Sequence, residues 1–221
     1  MARLRTCVTL ILTVTGLLAL SGCSANDSQV EKPATGSSSE APIAVPTTKP
    51  STPSDEGSDT PSPNLTRPGA TVTMGKWASY EYTGTTQQKA VIAARLVSVD
   101  KVTAAQQALL VEQIPELSDY TIWMLQVEQT KVSGASIATE SDYAAFYPVG
   151  VNKKKVQYVT MIGWNDCSSK VFSLAFDDGA PVSQCILGAT KTDQPEVAGV
   201  IYAPFDSPYD AHDGNPINFL K

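Results

Sequence analysis

His212 is the only histidine among the 221 residues, so a Ser-His-Asp or Cys-His apparatus would have to use it as its base. It sits in Asp210-Ala211-His212-Asp213-Gly214-Asn215-Pro216, a run of turn formers, and no Gly-x-Ser-x-Gly elbow accompanies it. An exposed loop histidine is the expectation. Asp206, Asp210, Asp213 and Asn215 offer oxygen ligands of the kind calcium takes. Their spacing lacks the alternation and closing Glu of a twelve-residue calcium loop, so they read as solvated acidic turns. Lys153-Lys154-Lys155, the one basic cluster, lies between a Gly-Val-Asn turn and a candidate strand. Trp77, Tyr80 and Tyr82 offer ring faces on which a sugar stacks. Trp77 is one residue out of register with the two tyrosines, so the three do not share a strand face and at least one belongs in a core. Gly-rich phosphate loops are absent, and no two carboxylates stand out as a hydrolytic pair. The expectation is therefore no catalytic residue, no cofactor, no metal and no enzyme.

Charge narrows the partners. Asp and Glu number 22 against 16 Lys and Arg, a net charge of −6. An acidic chain repels phosphate backbones, and three adjacent lysines make a poor nucleic-acid footprint. Nucleic acid is not expected.

The N-terminus carries the strongest signal in the sequence. Met1 to Arg5 is a short basic segment, and an apolar run follows from Thr6 to Leu20. That run is too short to span a hydrocarbon core, which needs roughly 20 helical residues. It ends in Leu20-Ser21-Gly22-Cys23, which resembles the lipobox of bacterial lipoproteins. The resemblance implies a signal peptide over residues 1–22, a diacylglyceryl group on the Cys23 thiol and cleavage before Cys23. Loss of Arg3 and Arg5, with no acid beside them, takes the net charge from −6 to −8. Two acyl chains give stable anchoring where one gives marginal binding. The expected location is the cell membrane, lipid-anchored through Cys23 on the extracytoplasmic side.

Export also bears on the other cysteines. Cys7 leaves with the signal peptide, which leaves Cys167 and Cys185 in the folded region. In an oxidising compartment a lone pair reads as a disulfide, the alternative being two buried free thiols. The bridge would enclose Asp177-Asp178-Gly179 and staple the strands of a hairpin.

Residues 23–68 are dominated by Ser, Thr, Pro, Ala and Gly, with Val30, Ile43, Val45 and Leu65 the only larger aliphatics. Such a segment buries too little surface to offset its ordering entropy, and a disordered linker is expected. Its root-mean-square span is about 35–40 Å, a tether that lifts a domain off the membrane.

Residues 69–221 read as short strands. Trp123, Leu125 and Val127 alternate with Gln126 and Glu128, the period of a half-buried strand. Val156–Ile162 and Val171–Phe176 follow the same pattern, the latter with Phe172, Leu174 and Phe176 on one side. Further candidates are Lys76–Thr83, Ala90–Val99, Asp142–Tyr147, Val182–Leu187, Val197–Tyr202 and Ile217–Leu220. Ala104 to Val111, rich in helix formers and followed by Pro115, predicts a short helical insert. The fold class is mainly β: an antiparallel two-sheet sandwich, with a closed barrel as the alternative.

Lipobox, Ser/Thr/Pro linker and one β-rich domain together resemble the immunoglobulin-like, telokin-like extracellular domains of bacterial, notably actinobacterial, lipoproteins. The stretches that carry the likeness are Tyr120–Val132 and Phe172–Leu187. It implies an immunoglobulin-like sandwich of unassigned function and supplies no catalytic residue. The expected function is a non-enzymatic binding or interaction module at the cell envelope. Its ligand, an envelope protein, cell-wall polymer or lipid, is unidentified. The alternative is a lipid or glycolipid carrier enclosing an apolar cavity.

Overall fold

The alternation read at Trp123, Leu125 and Val127 belongs to a strand of 15 residues, Tyr120–Gly134. The computed structural model describes residues Glu56–Lys221. The expected signal peptide, Cys23 and most of the expected linker lie outside the described residues.

Among the described residues nine strands form two sheets. In chain order they are β1 (Thr71–Thr73), β2 (Ala78–Thr83), β3 (Lys89–Lys101), β4 (Tyr120–Gly134), β5 (Phe146–Gly150), β6 (Gln157–Val159), β7 (Val182–Lys191), β8 (Val197–Tyr202) and β9 (Ile217–Leu220). The larger sheet runs β2-β3-β4-β7-β6 and the smaller β1-β9-β8-β5. Their inner faces share one core, in which Tyr80, Leu96 and Leu125 of the first meet Phe146, Tyr202 and Phe219 of the second. The expectation of a purely antiparallel fold is corrected at one edge. β1 pairs with β9 in parallel, Val72 opposite Phe219, so the smaller sheet is mixed. A three-residue strand, added by a chain arriving from the far side, satisfies that edge without a hairpin.

The larger sheet is covered on its outer face as well. Helix α1 (Ala104–Gln113) and the 3-10 turn Pro115–Asp119 place Leu110 and Leu117 against Ile122, Leu187, Ala189 and the Cys167–Cys185 disulfide. A capping box starts α1: the Thr103 hydroxyl accepts from Gln106 N at 3.2 Å, and Gln106 Oε1 accepts from Thr103 N at 2.9 Å. Burial on both faces explains why Gln184 to Thr190 is a continuous buried run.

Four sequence expectations change. Asp142–Tyr147 is not one strand: Tyr143–Ala145 is a 3-10 turn, and pairing begins only at Phe146 in β5. Val171–Phe176 is an irregular segment, bonded through Phe172 to Thr139 and Glu140, that leads into a one-turn helix, α2 (Leu174–Asp177). Ser173 caps it, and Phe172 stacks on Phe176 at 4.2 Å while Leu174 is 74% exposed. Asp177-Asp178-Gly179 is the end of that helix, with Gly179 at φ +88 donating to Phe176 O, and not a hairpin turn. The disulfide therefore joins a loop to β7. Finally, the pairing of Val156–Ile162 is confined to β6, and Ile162 is 92% exposed.

Residues 56–68, which composition places in the linker, run alongside β2. Thr66 N donates to Ser79 O at 2.7 Å and the Thr66 hydroxyl accepts from Ser79 N at 2.9 Å. Tyr209 donates to Thr66 O at 3.0 Å. The folded unit is thus entered before Gly69, held by backbone and hydroxyl bonds that a count of apolar residues does not register.

Candidate ligand-binding site

Tyr80 and Tyr82 lie two apart on β2 and both point between the sheets. Opposite them, the chain leaves β4, crosses to the smaller sheet and presents Asp142 just before the 3-10 turn Tyr143–Ala145. Asp142 is buried at 6% exposure. Its Oδ2 accepts from the Tyr80 hydroxyl at 2.6 Å, and Gln129 Nε2 donates to Oδ1 at 2.7 Å and to Oδ2 at 2.9 Å. Gln129 Nε2 also lies 2.7 Å from the Tyr80 oxygen, while its own Oε1 is buried without a partner among the described residues. Burial pushes the Asp142 carboxyl up to about 6, against the opposing pull of the hydrogen bonds from Tyr80 and Gln129. Burial and the neighbouring Asp142 charge hold the Tyr80 hydroxyl well above its ordinary value.

Tyr202 of β8 stacks on Tyr80, ring centres 3.8 Å apart. Only 1% of it is exposed. Burial first, then the Asp142 charge, raises its hydroxyl pKa, and no hydrogen bond to that hydroxyl is made among the described residues. Tyr202 and Asp142 form the floor of a cleft of about 440 Å³, walled by Glu81, Tyr82, Tyr147 and Phe205. Phe205 stands 89% exposed on the rim, in the Pro204–Ser207 loop.

Glu140 closes one flank of this network. It accepts from the Thr85 hydroxyl at 2.6 Å, Thr85 N at 3.2 Å, Gln88 Nε2 at 3.1 Å and the Tyr82 hydroxyl at 3.3 Å. The Thr85 hydroxyl bond is the main cause of its lowered carboxyl pKa. Burial and the Glu140 charge raise the Tyr82 hydroxyl.

The residues singled out in the sequence are dispersed. His212 is exposed in its loop, its backbone N donating to Asp210 Oδ1 at 2.6 Å. Asp210 spends its oxygens on that bond and on Asp206 N at 3.1 Å, so it organises the loop. No group of three or more His, Cys, Asp or Glu placed to hold a metal occurs among the described residues. Lys153 reaches the Thr71 hydroxyl at 2.8 Å, and Lys155 sits 3.6 Å over the Tyr147 ring. Trp77, Tyr80 and Tyr82 are all buried, and Trp77 is covered by the Arg95 guanidinium at 4.6 Å. Cys167 and Cys185 are bonded. Asp142, Gln129 and Tyr202 were not singled out by sequence. They come from three separate elements, and no local spacing joins them.

No protein-family model, no curated protein and no solved structure matches this chain.

Proposed function

We propose that this chain is a lipid-anchored, extracytoplasmic binding module, tethered through Cys23, whose ligand seats in the cleft over Tyr202. The observation that carries the reading is the hydroxyl of Tyr202, a residue 1% exposed, which lines an open cleft and has no hydrogen-bond partner among the described residues. Buried polar groups are ordinarily satisfied, and one left open toward a cleft is a position a ligand completes. Both Asp142 oxygens are already engaged by Tyr80 and Gln129, which leaves neither directed at a bound ligand and supports a non-enzymatic role. Cleft walls drawn from β2, from the segment before β5 and from the loop after β8 fit the habit of sandwiches to bind through their loops. Two face-packed sheets support kinship with immunoglobulin-like domains. The disulfide, on the outer face of the larger sheet, departs from the inter-sheet bridge of antibody domains.

The carrier alternative needs space between the sheets. Tyr80, Tyr202, Phe146 and Phe219 occupy that space in mutual ring contact, which supports the module over the carrier.

A photo-reactive amino acid at position 205, with a second placed at exposed Val97 near the other end of β3, tests the proposal in living cells. A specific envelope adduct from 205 and none from 97 is expected. Equal labelling from both positions, or none from 205, refutes it.

A further inference from the structure

We infer that the cleft over Tyr202 takes an organic ammonium group carried on an apolar arm, an inference that rests on the binding-module reading and names the ligand's chemistry. The side chains lining the cleft include three carboxylates, Glu81, Asp142 and Asp206, and no lysine, arginine or histidine. Glu81 is partly met by Lys89 at 2.7 Å, and that pair is exposed and screened. A cleft lined by one sign of charge, with low-dielectric walls, raises the local concentration of the opposite ion.

Aromatic rings stand beside the carboxylates. Tyr82, Tyr147, Tyr202 and Phe205 line the same cleft as the acids, and aromatic faces attract cations. Lys155 already lies 3.6 Å over Tyr147 from outside the cleft lining, so the cation contact left to a ligand falls to the other rings, the exposed Phe205 first. Phe205, 89% exposed, offers a face to the methylenes behind an ammonium head.

Tyr202 decides what the head group donates. The residue is 1% exposed, and its hydroxyl has no hydrogen-bond partner among the described residues. The nearby Asp142 charge favours the hydroxyl proton turned toward itself, which leaves the Tyr202 oxygen lone pairs for a donor in the cleft. An ammonium N–H fits that acceptor, whereas an anion would face three carboxylates. Free diamines and lysine side chains of peptides share this chemistry, and the test separates them.

The experiment is a ligand-observed NMR titration of the full-length protein in nonionic detergent. The probes are 1,5-diaminopentane, Nα-acetyl-lysine methylamide, its Nε-acetylated form, and chitotriose. Saturable binding of an amine, weakened at least tenfold by Nε-acetylation, is expected. Tyr202→Phe keeps the ring stack on Tyr80, removes no protein hydrogen bond, and should weaken amine binding at least fivefold. Asp206→Asn, at an exposed position with φ 53 that asparagine tolerates, should also weaken it. Binding of the diamine alone points to a free polyamine, and binding of the lysine methylamide alone to a peptide. Equal affinity for the acetylated probe, an unchanged Tyr202→Phe, binding of neither amine, or chitotriose displacing the amine overturns the inference. If position 205 still yields its adduct while both amines fail, the ligand chemistry falls and the module reading stands.

Discussion

Asp142 is expected to make this protein more stable in mild acid than at neutral pH. Its folded carboxyl titrates at about 6, against roughly 3.9 for an unfolded chain. The folded state therefore binds the proton more tightly, and stability is present below the unfolded value and lost as pH rises through the folded one. A difference of about two units, at 1.36 kcal/mol each, makes the full effect about 3 kcal/mol, of which roughly 2.3 kcal/mol falls between pH 7 and pH 4. About half, roughly 1.4 kcal/mol, is recovered on going from pH 7 to pH 5. Asp177 works in the opposite direction: the Ile137 N–H, the Ser136 hydroxyl and Lys131 hold it down to about 2, so its contribution is lost only as pH falls below about 4. Urea unfolding at pH 7, 6 and 5 measures the effect as a rising midpoint at constant slope. Asp142→Asn should flatten the rise and be at least as stable as wild type at pH 7, because no buried carboxylate remains to ionise. A midpoint that falls or stays level from pH 7 to 5, or a variant that keeps the wild-type slope, refutes the reasoning.

Three further outcomes are expected. Cys23→Ala moves the protein from the membrane fraction or leaves the uncut precursor, and unchanged retention and intact mass would contradict the anchor. Gly199→Val lowers stability by at least about 3 kcal/mol in urea unfolding, since a Cβ there lies 1.9 Å from the Phe219 carbonyl oxygen and forces β8 from β9. The double change Cys167→Ser and Cys185→Ser, which opens a loop of sequence separation 18, lowers stability by about 3 kcal/mol in the chain-entropy account. A loss below about 1 kcal/mol would show that the outer cluster of α1 and Leu187 holds that loop unaided.

Legibility from sequence followed the range of the interaction. Val197–Tyr202 and Ile217–Leu220 were readable to the residue, because short apolar runs between turn formers have few other uses. The helix after Thr103 was readable from its formers and from the proline beyond it. Phe172, Leu174 and Phe176 misled because alternation over five residues also fits a capped helical turn, in which the first and last rings stack. Asp177-Asp178-Gly179 misled for a related reason, since a glycine at positive φ serves a hairpin and a helix end equally. β1 was missed outright. Three residues carry no period, and their place is fixed only by Val72 reaching Phe219 across most of the chain. The cleft was illegible by the same logic. Tyr80 was noted as an aromatic, but its meaning depends on Asp142, 62 residues away, and on the ring of Tyr202 laid against it.

The central claim is that the Tyr202 hydroxyl is the contact a ligand completes. Its most direct test combines Tyr202→Phe with the photo-reactive residue at position 205 and compares adduct yield with the unsubstituted background in living cells. The account predicts at least a fivefold fall in yield at equal protein level and unchanged thermal midpoint. An undiminished adduct would contradict it and place the ligand elsewhere on the domain.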